Sequence, residues 1–255
     1  MKKPQTLLTS FTTVGSWTVI SRIFGFIRDI FIATFLGSGP VAEAFLIAFS
    51  LPNMFRTFFA EGALNLSFVP IFSKKLHDTK SAKLFAEQTL FYLLSSLLIL
   101  NIIAQVLMPW LVFAMASGFY FDERFELAVI YTRIAFPYII FISITALLSG
   151  VMNSVNKYAA AAAAPVLLNL VFISALMLSD FLDWDTGLSL AWAVPIAGFT
   201  QMCLLWYTAI RAGFILIPKF TPLNSDIKRL FKVALPTILA GGVIQINLLV
   251  GRQVA

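Results

Sequence analysis

The chain has 255 residues, of which 60% are hydrophobic and 12% are charged, whereas an ordinary globular domain carries roughly 25% charged residues. Its mean hydropathy is +0.91. These values exclude a water-soluble domain and indicate an integral membrane protein. The apolar stretches are long and continuous, which favours helices over a barrel, because barrel strands would alternate polar and apolar residues over about 10 positions.

The formal net charge is +6 and the isoelectric point is near 9.6. The basic residues lie mostly in short loops, so membrane topology explains them and no nucleic-acid partner is expected. The one cysteine, Cys203, and the one histidine, His77, support neither a disulfide nor a cysteine-based metal site. The sequence has no Gly-rich phosphate loop and no paired nucleophile and base, so we expect no enzyme, no cofactor and no metal.

Seven stretches reach the ~20 apolar residues that a transmembrane helix requires. They cover residues 8–36, 41–72, 84–115, 125–151, 158–181, 187–210 and 230–251. The first is too long and too charged for a secretory signal, so it is interpreted as a retained span. The sequence therefore predicts an all-α polytopic membrane protein with about seven transmembrane helices.

Lysine and arginine are concentrated at the N-terminus and in every second loop. These positions are Lys2, Lys3, Lys74, Lys75, Lys80, Lys83, Lys157, Arg211, Lys219, Lys228, Arg229 and Lys232. Cytoplasmic loops carry the excess of Lys and Arg, so the N-terminus is predicted to lie in the cytoplasm. Residues 213–229 mix basic and apolar residues and are predicted to lie along the cytoplasmic surface, in contact with membrane lipids.

Four arginines lie inside the predicted spans: Arg22 and Arg28 in the first, Arg56 in the second and Arg133 in the fourth. A guanidinium at the bilayer centre costs about 2.5 kcal/mol or more, so such groups nearly always face a bundle interior or a water-filled cavity. The sequence therefore predicts a cationic site within the membrane.

The acidic residues near these arginines are Asp29, Glu43 and Glu61. One interpretation is that Asp29 and Glu61 neutralise arginines and only hold the bundle together. The charges favour a binding site instead, because four arginines exceed the two carboxylates within the spans by two. An unpaired positive excess predicts an anionic ligand.

On a straight helix, Arg22 and Arg28 would lie about 9 Å apart along the axis and about 120° apart around it. Gly25 lies between them and permits a bend or a close contact with another helix. Pro52 precedes Arg56 by four residues, so the second span need not be straight either. Broken helices at mid-membrane depth are how transporters expose backbone and charge to a substrate.

The sequence around these arginines resembles the MurJ (MviN) family of lipid II flippases. The motifs are Ser21-Arg22-x-x-Gly25-Phe26-x-Arg28-Asp29, Leu51-Pro52-Asn53-x-x-Arg56 and Phe59-Ala60-Glu61-Gly62-Ala63. Weaker similarity continues through Phe136-Pro137-Tyr138, Ala164-Pro165-x-Leu167-Leu168-Asn169 and Gln245-Ile246. The resemblance therefore covers essentially the whole chain.

The resemblance implies two six-helix lobes around a central cavity, the fold of the multidrug/oligosaccharidyl-lipid/polysaccharide exporter superfamily. Residues 1–212 would form the N-terminal lobe, 213–229 a cytoplasmic interfacial linker and 230–255 the first helix of a truncated second lobe. Family members are longer by the rest of that second lobe, so we expect this chain to be a fragment or a truncated product.

The resemblance also implies roles for individual residues. The family's cavity arginines correspond to Arg22, Arg28 and Arg56, which would bind the diphosphate of lipid II, the lipid-linked peptidoglycan precursor. Ser21 lies beside the first of them. The other candidates for the substrate site are Asp29, Glu43, Glu61 and Arg133.

The function implied by the resemblance is transfer of lipid II from the inner to the outer leaflet of the bacterial cytoplasmic membrane by alternating access. The implied partners are lipid II, membrane lipids and cell-wall synthesis proteins. Two alternatives stay open. One is an exporter of another polyprenyl-linked glycan or of a drug. The other is a non-transporting membrane scaffold, in which the arginines form structural ion pairs.

Overall fold

The computed structural model describes residues 7–56, 64–237 and 240, and these ranges contain helices and no strands. Eight helices have the bounds α1 Leu7–Phe35, α2 Pro40–Arg56, α3 Leu64–Lys75, α4 Thr79–Met115, α5 Glu123–Ala135, α6 Tyr138–Ser154, α7 Ala159–Phe181 and α8 Thr186–Arg211. A 3-10 turn covers Ser117–Phe119. A further helix, α9, covers residues 225–237. The predicted all-α class is confirmed.

Aspartates begin three of the helices. The side chains of Asp78, Asp122 and Asp185 accept hydrogen bonds from backbone N–H groups in the first turns of α4, α5 and α8. Such caps satisfy donors that have no partner within the helix. Polar caps between long apolar stretches therefore set where these helices start.

Four helical segments in the described part of the chain are long and apolar enough to cross a membrane: Thr79–Met115, Glu123–Ser154, Ala159–Phe181 and Thr186–Arg211. They match four of the predicted spans closely. The predicted count of seven is not confirmed. The first span is a 29-residue helix that carries Arg22, Arg28 and Asp29, and residues of the second and the seventh lie outside the described ranges.

The fourth predicted span is divided between α5 and α6 by Phe136 and Pro137. Pro137 has no N–H to donate, and its ring would clash with the carbonyl one turn earlier, so the α-helical pattern breaks there. The chain continues through hydrogen bonds that span three residues. The N–H groups of Ile139 and Ile140 donate to the carbonyls three residues before them, with N···O distances of 3.1 Å. The two helices therefore remain one membrane-length segment.

The connections lie at two ends of the bundle. The acidic end comprises residues 36–39, 116–122 and 182–185, with Glu43 and Glu123 in the adjoining helical turns. The basic end comprises residues 76–78, 155–158 and 212–224, with Lys74, Lys75 and Arg211 adjoining. Ion pairs tie each end together, Arg124 with Glu43 and Lys75 with Asp226.

Two buried apolar clusters fill the interior. One lies toward the acidic end around Phe45, Phe136 and Phe172. The other lies toward the basic end around Phe68, Phe72 and Phe85, whose neighbouring rings stack with centroids 5.1 and 5.5 Å apart. Helix α7 packs against both α1 and α8. This packing holds α1 along one side of the bundle.

Residues 214–224 have no regular structure and run along α4. The backbone N–H of Lys219 donates to the Glu87 carbonyl at 3.3 Å, and the Tyr92 hydroxyl donates to the Thr221 carbonyl at 2.6 Å. Asn224 caps α9, which begins at residue 225. That start is five residues earlier than the predicted seventh span, because the cap was not recognised in the sequence.

Candidate functional site

A cavity of about 610 Å³ lies between α1, α2, α6, α7 and α8. We call it the central cavity. Its charged and amide side chains come from four of these helices and are Arg22, Arg28, Asn53, Arg56, Asn169 and Gln201. Arg22 lies near the middle of the 29 residues of α1, which at 1.5 Å per residue is ~43 Å long. Arg22 is therefore remote from both ends of α1.

The structure brings together four of the predicted site residues. Ser21, Arg22, Arg28 and Arg56 all line the central cavity. Arg22 and Arg28 both reach it, although an ideal helix would separate their directions by about 120°. The close helix contact expected at Gly25 is present, since a Cβ built there would lie 3.6 Å from Nδ2 of Asn169 on α7.

Arg28 is held by side chains from two helices. Its Nε and Nη2 donate to Oδ1 of Asp29 at 3.0 and 2.8 Å, and its Nη1 donates to Oδ1 of Asn169 at 3.0 Å. Its guanidinium carbon lies 6.0 Å from the centre of the Phe172 ring. The side chain is 21% exposed. Arg28 is therefore partly desolvated and fixed in direction.

The other two cavity arginines have different surroundings from Arg28. Nε of Arg56 donates to Oδ1 of Asn53, one helical turn earlier, at 2.9 Å. Arg22 is exposed to the cavity and makes no hydrogen bond or ion pair within the described ranges. Three guanidinium groups thus share one cavity with a single neighbouring carboxylate, Asp29, among the described side chains.

The remaining candidates are placed elsewhere. Asp29 is 63% exposed and does not line the cavity. Glu43 pairs with Arg124 at the acidic end. Arg133 is exposed outside the cavity, and its backbone carbonyl accepts a hydrogen bond from Gln105. Glu61 lies outside the described residues.

Asn169 and Gln201 are amides within the predicted spans, and both make interhelical hydrogen bonds. Nδ2 of Asn169 donates to the Ser21 carbonyl at 3.0 Å, and Nε2 of Gln201 donates to the Ala164 carbonyl at 2.8 Å. Their place in the cavity wall was missed. Asn53 was also missed, although its position one turn before Arg56 was a signal that it could hold the guanidinium.

The chemistry of the cavity suits an anion. Guanidinium groups stay charged and present planar forks that match phosphate oxygens. Within the described ranges, no three His, Cys, Asp or Glu side chains come together as a metal site would require. The arrangement can therefore bind a phosphate-bearing group by charge and hydrogen bonds.

The family model of the lipid II flippase MurJ matches residues 32–255. A probable lipid II flippase MurJ from Rhizobium tropici is 42% identical over 98% of this chain and 48% of its own length. The lipid II flippase MurJ of Burkholderia cenocepacia is 35% identical over 98% of this chain and 50% of its own length. The chain thus spans about half the length of the curated relatives it matches.

Solved structures are similar to this chain as well. A lipid II flippase MurJ in an inward closed conformation is 25% identical and superposes with a TM-score of 0.76 over 93% of this chain and 49% of that chain. A MOP superfamily transporter from Pyrococcus furiosus is 17% identical and superposes with a TM-score of 0.74 over 93% of this chain and 53% of that chain. At this identity the likeness shows the fold alone. This chain is therefore a membrane-embedded member of the MurJ family of lipid II flippases.

Proposed function

We propose that the protein containing this chain transfers lipid II from the inner to the outer leaflet of the bacterial cytoplasmic membrane. The observation that carries the proposal is the placement of Arg22, Arg28 and Arg56 around one cavity inside a membrane-embedded bundle. Intramembrane arginines that face a cavity mark substrate pathways, and guanidinium groups suit a phosphate-bearing ligand. The names of the relatives point to lipid II as that ligand.

The diphosphate of lipid II would bind to the three guanidinium groups, while its lipid tail stays in the bilayer. Arg28 is already oriented by Asp29 and Asn169, so little side-chain entropy would be lost when it binds. Arg22, which has no partner in the described part of the chain, would gain its first ion pair. We propose no chemical step, and no cofactor.

The transfer would proceed by alternating access between two lobes. We propose that residues up to 212 form the first lobe and that residues 213–224, which lie along α4, form the linker. The helix that starts at residue 225 would then begin the second lobe. Helices α1 and α2, which carry the arginines, would face that lobe across the central cavity.

The basic end would face the cytoplasm, so that its lysines and arginines lie near anionic lipid headgroups. Outward transfer of an anionic headgroup would then be helped by an inside-negative potential, which is worth ~2.3 kcal/mol per charge per 100 mV. Besides lipid II and membrane lipids, the partners would be cell-wall synthesis proteins that use the transferred precursor.

The test uses the complete reading frame in a strain depleted of its own flippase. Wild type is compared with Arg22→Ala, Arg28→Ala and Arg56→Ala, and the outer-leaflet fraction of lipid II is measured. Arg211→Ala is the matched control, because Arg211 lies at the basic end against the ring of Tyr207. Membrane insertion of each variant is measured in parallel.

We expect wild type and Arg211→Ala to restore lipid II exposure, and the three cavity variants to insert normally without restoring it. Equal restoration by the inserted cavity variants would show that the arginines are structural. Failure of wild type itself would mean that another polyprenyl-linked glycan or a drug is the substrate. Loss of insertion in the cavity variants alone would support the scaffold alternative.

A further inference from the structure

One amide on α7 connects two points on α1. Nδ2 of Asn169 donates to the carbonyl of Ser21, and Oδ1 of the same amide accepts from Nη1 of Arg28, both at 3.0 Å. Asn169 is only 4% exposed. The amide therefore bridges a backbone group and a cavity arginine that are seven residues apart on α1.

Gly25 makes room for this bridge. A Cβ at residue 25 would lie 3.6 Å from Nδ2 and 4.0 Å from Oδ1 of Asn169. The amide thus sits directly over the glycine, between the carbonyl one turn before it and the guanidinium three residues after it. A small residue at this position lets α7 approach α1 closely enough for both hydrogen bonds, since a Cβ would make only an ordinary contact with the amide.

The two partners fix the orientation of the amide. A carbonyl needs a donor and a guanidinium needs an acceptor. If the amide were rotated by 180°, its NH₂ group would face the guanidinium and its oxygen would face the carbonyl, so both contacts would be repulsive. Asn169 therefore holds Arg28 in one direction, and it does so with a neutral group that leaves the positive charge intact.

Arg28 has five N–H donors. Asp29 accepts two of them and Asn169 accepts one, so two N–H groups have no acceptor among the described residues. Asp29 reaches Arg28 from the adjacent position on α1 and is 63% exposed. Asn169 is the buried contact from a second helix. Among the described residues, Asn169 therefore makes the hydrogen bond that fixes Arg28 relative to the rest of the cavity wall.

We propose that Asn169 is a positioning residue, which aims the two remaining N–H groups of Arg28 at the diphosphate of the substrate. The inference rests on the proposed function, because it takes Arg28 to be a ligand of that diphosphate. Asn169 acts through Arg28 and makes no contact with the substrate of its own.

The test is a double-mutant cycle in the full-length protein, purified in detergent. Lipid II affinity is measured for wild type, Asn169→Leu, Arg28→Ala and the double variant, together with the thermal midpoint of each. Leucine has nearly the shape of asparagine but can make neither hydrogen bond. Gln105→Leu is the control, since it removes another interhelical amide-to-carbonyl bond, to Arg133 outside the cavity.

We expect Asn169→Leu to weaken lipid II binding about tenfold, because a hydrogen bond to a charged group is lost, and Gln105→Leu to leave the affinity unchanged. We expect no further weakening when Asn169→Leu is added to Arg28→Ala, because residues that act as one unit are not additive. Should Asn169→Leu fail to fold, Asn169→Ser, which keeps the position polar but cannot reach both partners, replaces it in the cycle.

The inference is overturned if the Asn169 variant weakens binding equally with and without Arg28, since that would show a general structural role. It is also overturned if the folded Asn169 variant binds lipid II normally while Arg28→Ala does not. In that case the proposed function stands. If Arg28→Ala binds lipid II as well as wild type does, the proposed ligand role of Arg28 fails and the inference fails with it.

Discussion

Arg124 and Glu43 form an ion pair, with 2.6 Å between Nη1 and Oε2, that joins the start of α5 to the first turn of α2. Arg124 also pairs with Asp122 at 2.7 Å, and its guanidinium carbon lies 4.5 Å from the centre of the Phe119 ring. Glu43 thus has a structural partner at the acidic end, away from the central cavity.

The first prediction concerns this ion pair. The side chains of Arg124 and Glu43 are 28% and 48% exposed, so we expect Glu43→Gln and Arg124→Gln each to lower the free energy of unfolding only slightly. The double variant should be no less stable than Arg124→Gln alone, because the pair is already broken. Thermal midpoints in detergent measure these effects. Additive losses would show that the two residues stabilise the protein through separate contacts.

The second prediction concerns pH. The backbone N–H of Arg124, and then its guanidinium, hold the pKa of Asp122 below its usual value of 3.8. A pKa that is lower in the folded state gives stability that is present above the unfolded value and is lost as the pH falls through the folded value. Asp122→Asn keeps a helix cap but removes the charge.

We therefore expect Asp122→Asn to be less stable than wild type at neutral pH, and the difference to shrink once the pH falls below the usual pKa of an aspartate. Thermal midpoints of both proteins, measured over a descending pH series in one detergent, follow that difference. A difference that stays constant down to the lowest pH would mean that ionisation of Asp122 does not contribute.

The third prediction concerns the contact between α8 and α5. A Cβ at Gly187 would overlap the hydroxyl of Tyr131. We expect Gly187→Ala to lower the free energy of unfolding by about 1–3 kcal/mol, because the tightly packed helices must separate. Gly15→Ala is the control, since nothing lies within 4 Å of a Cβ there and alanine favours a helix. A Gly187→Ala protein as stable as wild type would show that the helices can adjust freely.

The fourth prediction concerns Gly25. A Cβ there would make only an ordinary contact with Asn169, at 3.6 Å, so Gly25→Ala should support lipid II exposure as wild type does. The larger side chain in Gly25→Val should displace the amide and reduce exposure, while the protein still inserts. The same assay in the depleted strain measures both variants, with Gly15→Val as the control. If Gly25→Val inserts and lipid II exposure is normal, α7 need not approach α1 closely at this glycine.

Local sequence rules accounted for most of the helices. Long apolar stretches place α7 and α8 close to their predicted bounds and α4 close to its predicted end, because hydropathy can be recognised within one segment of the chain. The start of α9 was missed because its cap, Asn224, lies in a segment that mixes basic and apolar residues.

The sequence by itself determined the helical membrane class and the candidate arginines, since hydropathy and intramembrane charge can be recognised without knowing any partner. Only the tertiary structure decided which charges share a cavity. It grouped Arg22, Arg28 and Arg56, and it left Arg133 and Glu43 outside. It also gave Asn169 two partners on α1. Contacts between residues far apart in the chain depend on how helices pack, and spacing along one helix does not specify that packing.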